Sequence, residues 1–293
     1  MFGTLLGGLP WPDGVAAGDH SGAVEAAILA QEAAGLEPLT DGRLGTGTSL
    51  EAWLRAAGRT DRAVKQALQG PYTRSRAYAG RARERAALAL AEELRAEVEA
   101  LADAGCPLVE IEESEAHLIG DDPVERRIFA AAHQRLADGS TGTHLSLSIV
   151  GGSAWEAGPA IILGAAYQSL AVDLIAGPEN WRLVAATPAE RGIVAGALTT
   201  RSGDDGPEVL LYAANYAAST NGRGRDRVGL GTSAGLDRLT WPAALEKLQR
   251  LGEAVRIASL SPAEAAAQLD PRAVNARSAA LGRVGPQRPR RSR

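Results

Sequence analysis

Two carboxylates stand out. Glu110 and Glu112 lie two residues apart in the apolar stretch Leu108 to Glu112, which reads as a strand. Alternate strand residues leave the same face, so both acids point one way. Confined together, one would hold its proton more tightly and could act as a proton donor, or the pair could capture a cation. Arg43 and Arg74 follow neighbouring strands and could pair with them as a purely structural cluster. His144 and Ser146 share one face of another strand. Alternate residues are about 6–7 Å apart along a strand, which disfavours a nucleophile–base pair, and a serine hydroxyl is a poor zinc ligand. A satisfied core histidine is the competing reading. His117 closely follows the Glu110 strand and could overhang a site; His20 and His133 carry weaker signals, with His133 mid-helix and read as surface. Cys106 reads as a buried, inert thiol. Lys65 and Lys247 are the only lysines, and Lys65 begins its strand, the end away from barrel chemistry.

These residues need a frame. Strand-length apolar runs alternate with helical patterns, the mark of a parallel α/β sheet. Strands are expected near 3–9, 37–40, 64–69, 108–112, 143–150, 170–176, 193–198 and 228–231. Helices are expected near 22–34, 80–104, 122–138, 155–167, 208–218 and 241–257. Eight strands with interleaved helices predict a single (β/α)8 TIM barrel over 1–260. An open doubly wound sheet is the runner-up, but no GxGxxG follows the first strand. A C-terminal helical segment over 261–281 and a disordered basic tail over 282–293 complete the expected layout. In a barrel, chemistry gathers where the strands end. Those positions carry Trp11, Asp41, Arg43, Thr73, Arg74, Glu112 and Ser233, so Arg43, Arg74, Glu112, His144 and Ser233 are expected around one cavity.

Composition sets limits. The 293 residues are 45% hydrophobic, enough for a full core, and the net charge is −4. That balance argues against nucleic acid or membrane surfaces as partners. Removing five arginines of the last eleven residues leaves −9 on the rest. A single cysteine excludes a disulfide framework or a Cys-rich metal site. With no long apolar run and no basic leader, the expected compartment is the cytoplasm.

The strand ends, taken in order, resemble the catalytic barrel of the cobalamin-independent methionine synthase family. Gly8-Leu9-Pro10-Trp11-Pro12 resembles its opening GS-x-PRP, with Trp11 for Arg. Gln31 to Arg43 resembles Q-x-x-x-G-L-D-x-x-x-D-G-E, and Gly70-Pro71-Tyr72-Thr73 resembles G-P-x-T. Val109 to Ser114 resembles Q-I-D-E-P, and Ser233 to Leu236 resembles D-C-G-L, with a following A-x-x-K-L helix. The resemblance runs over about residues 4–255.

It implies a barrel enzyme that transfers a methyl or one-carbon unit to a small molecule. It also implies a zinc site, and there the sequence departs. His144 matches the family histidine, but Ser146 and Ala234 stand where cysteines belong, and Gly177 or Pro178 where a Glu belongs. A zinc-free enzyme is therefore expected, with no tightly bound cofactor and a folate or other methyl donor as co-substrate. Arg43 and Glu112 match the family's substrate-amine carboxylates; Arg43 reverses the charge, which points to an anionic substrate. Glu112 and His144 are the expected catalytic residues. Trp11, Asp41, Arg43, Thr73, Arg74, Glu110, His117, Ser146 and Ser233 are the expected substrate contacts. Two alternatives stand beside this reading. One is metal-free acid/base chemistry of a decarboxylase or lyase kind, for which the related uroporphyrinogen decarboxylase barrels set a precedent. The other is a non-catalytic ligand-binding homologue. Acceptor, donor and oligomeric state are not legible.

Overall fold

The computed structural model describes residues 1–139, 142–201, 206–260 and 262–269. Seven parallel strands form one sheet: β1 (Phe2–Thr4), β2 (Gln66–Gln69), β3 (Leu108–Glu113), β4 (His144–Ile149), β5 (Ser169–Asp173), β6 (Gly192–Leu198) and β7 (Val228–Thr232). Their order is β1-β7-β6-β5-β4-β3-β2. The helices are α1 (His20–Ala33), α2 (Ser49–Ala57), α3 (Pro71–Ser75), α4 (Gly80–Asp103), α5 (Pro123–Ala137), α6 (Pro159–Ile162), α7 (Asn180–Ala186), α8 (Pro207–Ser219), α9 (Trp241–Ala258) and α10 (Pro262–Ala267).

The expectation of a closed (β/α)8 barrel is overturned. The sheet is an open, curled half-barrel whose edges lie 12 Å apart. The missing strand is the one expected at 37–40. Glu37 N–H donates to Gly3 O and Leu39 N–H to Ala63 O, yet only the single bridge Leu39–Val64 forms. Pro38 lies between the two donors and has no N–H, so no continuous ladder can run through this segment.

Alternation along the strands sorts the two faces. Val109, Ile111, Leu145, Leu147 and Ile149 join the large core beneath the helices. On the concave face Leu6, Ala171 and Val194 form a small separate cluster with Phe2 packed on it. Register carries that face along the sheet: Ala171 neighbours Ser148, and Ser148 neighbours Glu112. Glu110, Glu112, Ser146, Ser148 and Asp173 therefore line the hollow, and Asp173 ends its strand there.

Cys106 sits on the turn between α4 and β3, buried, with its thiol donating to Leu108 O at 3.3 Å. Burial pushes its pKa up to about 11. A thiol reagent at pH 8 should find no reactive group in native protein and one after unfolding in guanidinium.

The segment expected as a helical stretch and basic tail over 261–293 falls on α10 and, beyond Leu269, outside the described residues. No helix among the described residues is long and apolar enough to cross a membrane.

Candidate active site

Three loops meet at the C-terminal end of the sheet. Leu9 N–H donates to Gly42 O at 2.8 Å, and Leu236 N–H to Gly8 O at 2.7 Å. Gly7 has φ +77°, and a Cβ there would lie 2.5 Å from Gly235 N, so only glycine allows this approach. Asp41 folds the middle loop by accepting from the N–H groups of Arg43 (2.9 Å) and Gly45 (3.2 Å). Arg43 is thereby held at φ 60°, a left-handed conformation costing on the order of 1 kcal/mol outside glycine.

That strain aims a guanidinium at Glu112. Arg43 Nη2 lies 2.6 Å from Glu112 Oε2; the arginine side chain is 46% exposed and the glutamate 8%. Burial works against the Arg43 charge, but attraction to Glu112, then Glu110 and Asp237, outweighs it and raises the pKa. One layer deeper, Lys65 Nζ lies 2.8 Å from Glu110 Oε2, with both side chains almost fully buried. The lysine expected to lie away from the chemistry thus reaches into the hollow.

Polar oxygens without partners mark the same strip. Glu110 Oε1, Ser146 Oγ and Ser148 Oγ are buried and make no hydrogen bond among the described residues, while Glu112 Oε2 has Arg43 as its partner. Glu110 pairs in register with Ser146, and Glu112 with Ser148. Leaving a buried polar group unsatisfied costs about 1–3 kcal/mol, so a run of them on adjacent strands calls for a ligand that supplies donors.

Behind the strip, Glu113 faces the helices. Its carboxylate accepts from Tyr72 N–H (2.9 Å), Thr73 N–H (2.7 Å) and His133 Nε2 (2.9 Å). His133 Nδ1 meets the Tyr167 hydroxyl at 2.6 Å. A Cβ at Gly70 would sit 2.2 Å from Glu113 Oε1, which explains the glycine of the Gly-Pro-Tyr-Thr turn. His133 is therefore buried and bonded, not at the surface as its mid-helix place suggested.

Of the other expected contacts, Ser233 stays at the strand ends and the rest make contacts elsewhere. Ser233 is buried where β7 ends, its N–H on Leu198 O. Thr73 lies in α3, its Oγ accepting from Glu115 N–H at 3.2 Å. Arg74 turns to Glu93 on α4, 3.5 Å away. Trp11 packs edge-on against His20 and donates to Val15 O. His117 is exposed beside Gly152, in the loop after β4. His144 does not join this group at all. It opens β4, so it sits at the N-terminal end of the sheet, with Nε2 2.8 Å from Ser169 Oγ. Burial lowers its pKa and favours the neutral ring.

The strand-end side chains are poor donors for zinc. The hollow's C-terminal end offers Ser148 from β4 and Ser233 from β7, while Asp173 of β5 is occupied by the N–H groups of Ile175, Ala176 and Gly151. Among the described residues no three His, Cys, Asp or Glu side chains gather as a metal would require. The residues present do not fit a zinc ion held by nitrogen and thiolate.

With this geometry in place, the solved structures become informative. A B12-independent methionine synthase from Shewanella sp. W3-18-1, in complex with selenomethionine, superposes with a TM-score of 0.74 at 15% identity, covering 87% of this chain and 97% of that one. The chain is similar in fold to the B12-independent methionine synthases. A candidate enzyme of that kind from Listeria monocytogenes gives a TM-score of 0.69 at 13% identity, over 92% and 98% of the two chains. A methyltransferase from Methanosarcina mazei gives 0.52 at 17% identity, over 84% and 70%. No protein-family model matches the sequence, and no curated protein matches it.

Proposed function

We propose that this chain is a small-molecule enzyme of the methionine-synthase fold, transferring a methyl or one-carbon unit at the C-terminal end of its half-barrel without a zinc ion. The run of unpartnered oxygens on β3 and β4 carries this reading. They would bind an acceptor rich in donors, such as an ammonium or hydroxyl compound, with Arg43 at the rim for an anionic group. A folate or another methyl donor serves as co-substrate. As the bond from acceptor heteroatom to methyl forms, the donor–methyl bond breaks and its electron pair stays with the donor. The acceptor's proton passes to Glu112, the member of the Glu110–Glu112 pair nearer the mouth.

The test is incubation with ¹³C-methyl tetrahydrofolate and a panel of amine, hydroxyl and thiol acceptors, followed by mass spectrometry. Label in an acceptor supports methyl transfer. Deuterium uptake into a compound from D2O, with no label moved, would favour acid/base chemistry on the same carboxylates. The pairing of Glu110 and Glu112 in one hollow is what keeps that second reading alive.

A further inference from the structure

The proposed chemistry leaves the opposite end of the sheet unused, and that end is hollow. A cavity of about 560 Å³ opens at the N-terminal mouth, within the range of small-molecule sites. Its walls are mainly apolar, from Phe2, Pro38, Pro107, Leu108, Ile193 and Val194.

Two polar features face this cavity. His144 and Ser169 line it, joined at 2.8 Å between Nε2 and Oγ. His144 Nδ1 has no partner among the described residues, so one nitrogen is left to meet a ligand. The rim carries Glu37, Glu190 and Asp226 against Arg227, with Arg223 within electrostatic reach of Glu190. Arg227 is turned to Ala189 O at 3.1 Å, and Glu37 gives one oxygen to Ala63 N–H at 3.0 Å. The balance at the rim is negative.

We propose that this N-terminal cavity is a second ligand site, at the opposite mouth from Arg43 and Glu112, and that it takes an arylalkylamine. The ring would fill the apolar walls, a ring hydroxyl or N–H would meet His144, and the ammonium would rest among the rim carboxylates. The two mouths lie at opposite ends of the same strands: His144 opens β4, the strip begins two residues on at Ser146, and Ser148 lies four residues on.

Calorimetric titration of the full chain with three probes tests this: tyramine, phenethylamine and 4-hydroxyphenylacetate. Tyramine is expected to bind saturably, and at least about tenfold more tightly than 4-hydroxyphenylacetate, which keeps the ring and reverses the charge. Phenethylamine lacks the hydroxyl and should fall between them. Glu190→Gln with Asp226→Asn, both exposed, should erase the preference for the amine without disturbing the fold. His144→Leu should reduce tyramine to the phenethylamine level. Equal binding of the acid and the amine, or no binding of tyramine in the millimolar range, would overturn the proposal. So would loss of tyramine binding in Glu112→Gln, which would put the ligand at the other end of the sheet.

Discussion

Lys65→Met is expected to lower stability by about 3–5 kcal/mol, read as a fall in the urea midpoint with an unchanged slope. Lys65 and Glu110 are both almost fully buried and 2.8 Å apart. Removing the ammonium strands the Glu110 carboxylate in the hollow, where its other oxygen already lacks a partner. The cost comes from the charge left behind more than from the lost contact. Lys65→Met combined with Glu110→Leu should therefore recover most of the loss, because a packed apolar pair of similar volume often matches a buried ion pair. If Glu110 contributes to the ligand site, the double variant regains stability and still binds ligand weakly. A single Lys65→Met variant as stable as the parent would mean that the pair is not buried as described.

Glu112→Gln is expected to behave in the opposite way. Its partner Arg43 is half-exposed, so the arginine left behind can be solvated, and stability should change by about 1 kcal/mol or less. Turnover, measured with any donor–acceptor pair that the labelling screen reveals, should fall by about 10²–10⁴-fold in kcat/KM if Glu112 takes the acceptor's proton. Arg43→Lys should instead weaken binding of an anionic substrate, since an ammonium cannot reproduce the planar fork. Equal loss of stability and activity in Glu112→Gln would point to a structural pair.

The acid pair was legible because alternation is local. Glu110 and Glu112 share a face in any strand, and the structure puts that face inside the curl. Ser148 follows from the same rule applied to Ser146. What alternation cannot supply is height. His144 resembled a family ligand two residues before a serine, but β4 begins there, so the ring lies at the far mouth. The second strand failed for a chemical reason visible in the sequence, a proline at its centre. Helix α2 is absent from the sequence reading, although Thr48-Ser49-Leu50-Glu51 is a capping box whose reciprocal bonds both form. The helix expected at 155–167 breaks at Gly158-Pro159 and Gly164, leaving α6 as a single turn. The Glu113–His133–Tyr167 chain was out of reach, because it joins a strand, a helix and a loop far apart in sequence.

The most direct measurement is the ligand-induced shift in Tm of the wild type and of Glu112→Gln across folates, methionine analogues, amines and organic acids. At about 100 times its Kd, a ligand of the C-terminal site adds about 2.7 kcal/mol, which should raise the wild-type Tm by on the order of 5 °C. The expected result is such a shift in the wild type, lost in Glu112→Gln. A ligand that raises both Tm values equally, or the absence of any shift across all four classes, would contradict a binding site built on the β3–β4 carboxylate strip.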